Sequence, residues 1–258
     1  MEIVFPGSSS RTRKRQPNRE CRSEILYDNQ PETQMCEPSS IRRIITILMA
    51  AILSGCASPN PVMYKEIPSA PYLRQNTSDD AMKTPYLYAS HTSIQGYDNI
   101  IIDPIEIYKG RDSQFGKMTE EDKTSLGAYM HAQFAEKLAS RFRITNTPGP
   151  RTLRLKLILT GAAATTPVIS TFSRLDLSGG LYNGVQSIRG GEGTFTGSAL
   201  YAVEVYDSAT AQLLCAYIAK EYPNSMNIGA SFGSLTAAKV GIEKGAEKFV
   251  QQLQQYSK

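Results

Sequence analysis

The chain has 258 residues, a formal charge of +4, 41% hydrophobic residues and no Trp, which suits one modest globular domain flanked by segments of another character. With 28 basic residues mixed among 24 acidic ones, it lacks the concentrated basic face of a nucleic-acid binder. Four cysteines are too few for a disulfide scaffold, and Cys21 and Cys36 fall in a part of the chain that does not read as fold.

Residues 1–40 are polar, carry six basic and six acidic residues, and show neither helical nor strand periodicity. The expectation is that translation begins nearer Met35, or that the segment is a disordered leader. Arg42-Arg43, the apolar run Ile44 to Leu53 and then Ser54-Gly55-Cys56 have the three parts of a secretory signal peptide over residues 41–55. A membrane span needs roughly 20 apolar residues, and this run is about half that length. The rest of a twin-arginine signal is missing, so ordinary export is expected.

Leu53-Ser54-Gly55-Cys56 resembles the lipobox of bacterial lipoproteins. The resemblance implies cleavage between Gly55 and Cys56 and a Cys56 thiol joined to diacylglycerol, with further acylation. Removing residues 1–55 takes away eight basic and six acidic residues, which leaves 20 against 18, or +2. Cys215 then stands without a partner for an internal disulfide. Ala57 follows the cysteine where an Asp would signal inner-membrane retention, so the resemblance implies the periplasmic face of the outer membrane.

Residues 56–96 read as a tether, because Pro59, Pro61, Pro68, Pro71 and Pro85 discourage helix and keep the chain extended. Tyr64, Tyr72, Tyr86, Tyr88 and Tyr97 are too many for a free linker, so part of it is expected to dock by its rings. The folded domain is expected over 97–258. Asn99 to Tyr108 is β-branched and predicts a strand, with Pro104 marking an edge or a bulge. Thr119-Glu-Glu-Asp122 predicts a helix start, and Leu126, Met130, Phe134 and Leu138, with Tyr129 and Ala135, place one apolar stripe on a helix reaching about Ser140. Leu153, Leu155, Leu157 and Leu159 alternate with polar residues and predict a half-buried strand.

Residues 161–196, rich in Gly, Ser and Thr, read as a long loop or irregular hairpin. Gly197 to Tyr206 and Leu213 to Tyr222 predict a hairpin whose turn Asp207 can bond. A last helix is expected over about 234–253, with Ala238, Ile242, Ala246, Phe249 and Leu253 on one face and Gly241 and Gly245 placed for close approach to the sheet. The pattern is α+β: a two-layer sandwich of a mostly antiparallel sheet with two amphipathic helices on one face.

Gly96-Tyr-Asp-Asn-Ile-Ile-Ile-Asp-Pro-Ile-Glu-Ile107, Val203-Glu-Val-Tyr-Asp-Ser-Ala-Thr210 and Leu213-Leu214 resemble a family of bacterial lipoproteins known only as domain of unknown function three-three-one-three. The similarity spans roughly residues 64–255. That family usually has Gly after the hairpin Thr, where this chain has Ala211. The resemblance implies an anchored envelope lipoprotein and brings no active site.

Catalytic patterns are sparse. Gly229-Ala-Ser231-Phe-Gly233 matches a nucleophile elbow, but such a hydrolase needs a His after the Ser, and His91 and His131 both precede it. Ser231 or Ser234 therefore reads as a helix cap. Gly179-Gly180, Gly184 and Gly190-Gly191-Glu192-Gly193 keep no dinucleotide spacing and read as turns. Neither histidine has metal-ligand neighbours at the right spacing, Asp103 and Glu106 fall on opposite faces of a strand, and Cys215 reads as a small core residue. No cofactor, metal or catalytic residue is expected. The preferred reading is a non-catalytic lipoprotein held in the membrane through Cys56, whose domain binds or positions another envelope protein. The alternatives are a small-ligand binder using 178–197 and the tyrosines, and a serine hydrolase at Ser231.

Overall fold

The computed structural model describes residues 59–164, 197–224 and 235–255. In chain order they form β1 (Arg74–Gln75), β2 (Tyr86–Ala89), β3 (Asn99–Ile102), β4 (Glu106–Ile107), α1 (Glu120–Leu138), β5 (Arg143–Ile144), β6 (Thr152–Ala163), β7 (Ser198–Asp207), β8 (Leu213–Glu221) and α2 (Thr236–Gln255). One mixed, mostly antiparallel sheet holds all eight strands in the order β1-β2-β8-β7-β6-β3-β5, with β4 also on β6. The expected α+β class is the observed one.

The antiparallel part runs from β1 to β6, while β3 and β4 lie parallel to β6. The parallel pairing follows from α1, since a helix between two strands returns the chain to the same end of the sheet. Pro104 sits where the expected strand splits into β3 and β4, as a residue without an N–H requires.

Thr119 caps α1 by accepting from the Asp122 N–H at 3.1 Å, and Glu120, Glu121 and Asp122 put acid on the positive end of the helix. The stripe Leu126, Met130, Phe134 and Leu138 is fully buried. It shares one core with the odd-numbered residues of β6 and β7 and with Ala238, Ile242, Ala246, Phe249 and Leu253 of α2. Phe134 meets Tyr201 edge-on at 6.1 Å and Phe249 at 5.9 Å, tying both helices to β7.

The expected tether is corrected here. From Asn60 on it belongs to the fold, contributing β1 and β2 and a second core in which Tyr64, Ile67 and Leu73 cover Ile158, Ala202, Ala216 and Ile218. The proline-rich arm crosses the sheet through turns over 65–72, where the Tyr72 N–H bonds the Ser69 carbonyl at 2.9 Å, and it packs there because period-two strands offer a second apolar row. A second correction concerns 161–163, expected as the start of a loop: they are the end of β6, and the remainder of that loop lies outside the described residues.

In the turn between β7 and β8, the Asp207 carboxylate accepts from the backbone N–H of Ala209 at 3.0 Å and of Thr210 at 2.7 Å. Ala211 follows with φ 60°, a left-handed conformation that an L side chain resists by about 1–2 kcal/mol. Glycine would relieve this while adding unfolded-state freedom that costs about 0.4–1 kcal/mol. Ala211→Gly should therefore raise the stability by about 0.5–1 kcal/mol in urea titrations, and a lower midpoint at equal slope would contradict this.

Candidate functional site

Several flagged positions lie outside the described residues: Gly55 and Cys56, the Gly-rich 179–193 stretch, and the Gly229 to Gly233 pattern with Ser231 and Ser234. His91 and His131 are exposed. His131 borders a groove of about 340 Å³ with Pro104, Ile105, Ile107 and Gly127, under α1. Asp103 accepts two contacts from Arg154 Nε at 2.9 and 3.0 Å, and Glu106 pairs with Lys156 at 3.0 Å. Each carboxylate is thus satisfied by its own cation on β6. Cys215 is half-buried against the helix-side core, and burial pushes its thiol up to about 12, far from a thiolate at neutral pH. Among the described residues no cluster of three or more His, Cys, Asp or Glu could hold a metal, and no helix is long and apolar enough to cross a membrane.

Among the described residues, a dense polar arrangement stands where the arm docks. Asn60 is held twice, its carbonyl accepting from Gln114 Nε2 at 2.8 Å and its side-chain oxygen from Lys220 Nζ at 3.2 Å. Tyr64 is fully buried, donates to Gln114 Oε1 at 2.6 Å and packs edge-on against Tyr108 at 5.3 Å. The Tyr108 hydroxyl accepts from the Glu66 N–H at 3.3 Å and donates to Asp112 at 2.6 Å, while Asp112 also accepts from the Lys65 N–H at 3.2 Å. Burial first, and that bond second, push the Tyr108 phenol up to about 12, and the same bond holds the Asp112 carboxyl below its ordinary value.

Further along, Glu204 is completely buried, with Ser69 N–H donating to one oxygen at 2.8 Å and the Tyr206 hydroxyl to the other at 2.7 Å. The carboxylate is the pin on which the arm turns toward Leu73. Sequence reasoning passed over Glu204, Lys220 and Glu221. The signal was present: Ala199 to Tyr206 is apolar at both alternations except for Glu204, and a strand without a polar face is covered on both sides.

The last residues of β8 place opposite charges on opposite faces. Lys220 reaches the arm, while Glu221 faces α2, with Lys248 Nζ at 3.8 Å from its carboxylate and 2.5 Å from Asp80. Burial pushes the Glu221 carboxyl above its ordinary value, with Lys248 and Lys83 drawing it back. Near the arm's first residues, a groove of about 360 Å³ is lined by Pro59, Phe115, Met118, Ala162 and Leu235. The chain thus enters the fold at the C-terminal end of β6. This geometry can hold a chain tightly.

A family model described as "Protein of unknown function (DUF3313)" matches residues 63–249, most of the chain. No curated protein matches. Among solved structures, the chain is similar to the PelC dodecamer from Paraburkholderia phytofirmans at 13% identity, over 62% of this chain and 96% of that one, with a TM-score of 0.34. It is also similar to a point-substituted variant of the PelC dodecamer from the same organism at 8% identity, over 62% and 92%, with a TM-score of 0.33. The match over residues 63–249 makes this chain a member of the family described as protein of unknown function (DUF3313).

Proposed function

We propose that this protein is a non-catalytic lipoprotein, acylated at Cys56, held on the periplasmic face of the outer membrane, whose domain binds or positions another envelope protein. The observation that carries the reading is the double hold on Asn60, only four residues past Cys56. Cleavage ahead of Cys56 would leave all the contacts of the arm in place, so the lipobox stands where a folded domain can be joined to an anchor. The ion pairs of Asp103 with Arg154 and of Glu106 with Lys156 support a non-catalytic role, because neither carboxylate is left poised for proton transfer. The finer architecture proposed is two packed layers, both helices on one face of the sheet, supported by the core they share with β6 and β7, with the arm laid on the other face.

Cys56→Ser should leave an unlipidated precursor that is released from membranes by mild washing, since stable anchoring needs two or more acyl chains. Ala57→Asp should move the protein to the inner membrane without changing its melting temperature. Sucrose-gradient fractionation checks both, and wild-type protein found in the inner membrane would contradict the destination.

A further inference from the structure

Resting on the anchoring proposed above, we propose that the end of the domain bearing Val62, Met63, Lys65, Lys109, Arg111 and Lys117 lies directly on the membrane, with an anionic lipid surface as its partner. The four residues from Cys56 to Asn60 span at most about 14 Å, so the acylated cysteine cannot be far from the point where Asn60 is fixed to Gln114 and Lys220. The domain therefore has no room to stand off. Residues 60–66 run beside 108–114, as the Lys65–Asp112 and Glu66–Tyr108 hydrogen bonds and the Tyr64–Tyr108 ring contact show.

That strip shows water two apolar side chains, Val62 at 39% and Met63 at 38% exposure, beside the exposed cations Lys65, Lys109, Arg111 and Lys117. The acids within it are Glu66, which is exposed, and Asp112, which is engaged by Tyr108 and the Lys65 N–H. At the adjoining start of α1, Glu120 is paired with Lys123 at 2.6 Å. Exposed Glu121, and Asp122, which lines the groove beside Pro59 and Lys117, offset part of the positive charge. The contact therefore rests on the short link to Cys56 and on Val62 and Met63 more than on net charge. Apolar side chains flanked by cations suit the headgroup boundary, where the chains enter the acyl edge and the charges meet lipid phosphates. The turn at Ala209 belongs to the opposite end of the sheet, since Asp207 pairs with Leu153 at the start of β6, whose 12 residues extend about 40 Å.

The test uses the full chain, purified as its membrane form and reconstituted into vesicles of phosphatidylethanolamine and phosphatidylglycerol. Fluorophores are attached to Met63→Cys, Lys117→Cys and Ala209→Cys, and quenching by headgroup-nitroxide lipid is measured. All three carry Cys215→Ala as well, which removes the thiol of the domain that would compete for label. The expected result is quenching several-fold stronger at 63 and 117 than at 209. Flotation of the same vesicles reads anchoring separately. Chains that float with all three labels quenched alike, or with 209 quenched most, overturn the placement and leave the anchor standing. Chains that do not float overturn both.

Discussion

Glu204→Ala is expected to destabilise the domain by about 2–4 kcal/mol, the cost of leaving two hydrogen-bond donors without their acceptor. The substitution takes the acceptor from the Ser69 N–H and the Tyr206 hydroxyl at a fully buried position, and each orphaned donor costs about 1–3 kcal/mol. Thermal unfolding should start roughly 10 °C lower, at about 2–4 °C per kcal/mol for a domain of this size. The arm should also become cleavable by protease ahead of Leu73 before the rest unfolds, because Ser69 is the residue that Glu204 holds. Glu204→Gln keeps one acceptor and should fall between. A Glu204→Ala shift under about 2 °C with an uncut arm would show that the arm's other contacts hold it without this carboxylate.

The second large effect concerns the glycine-notched face of α2. A Cβ on Gly241 would run into the Glu221 carbonyl oxygen and stand 3.2 Å from the Tyr222 nitrogen, both main-chain atoms that cannot rotate away. A Cβ on Gly245 would run into the Tyr201 hydroxyl, whose ring is locked by burial. Alanine adds about 1 kcal/mol of helix propensity, whereas overpacking a filled core costs about 1–3 kcal/mol. With main chain as the obstacle the upper end applies, so Gly241→Ala should lose about 2 kcal/mol net, or about 4–8 °C. Gly245→Ala should lose a similar amount, and clearly less in a Tyr201→Phe background, because the obstructing oxygen is then gone. Equal losses in both backgrounds, read in urea denaturation, would show that Tyr201 is not the obstacle.

Those two glycines were legible in the sequence, since a pair four residues apart in a helix is costly unless something approaches closely there. So were the α1 cap and stripe, and the Asp207 turn, because each rests on local chemistry. The parallel pairing of β3 and β4 with β6 was also available from the order strand, helix, strand, yet an antiparallel pattern was the simpler reading of neighbouring strands. The docking of the arm was legible in part, since its tyrosines are too many for a free linker, but its extent was not. The arm's five prolines report backbone stiffness, which a spacer and a docked covering share, and only the two-sided apolarity of Ala199 to Val205 tells that something must cover the second face. Of the candidate site, Asn60 and Gln114 carry no sequence signal, because their role arises from a contact 54 residues apart in the chain.

In the proposed function, Cys56 is the first residue of the mature chain, joined to lipid four residues before the docked Asn60. Mass spectrometry of the N-terminal peptide of protein purified from membranes tests this most directly. The expected result is a peptide beginning at Cys56 and carrying diacylglycerol with a further acyl group. A peptide beginning before Cys56, or one with an unmodified Cys56 thiol, would contradict it.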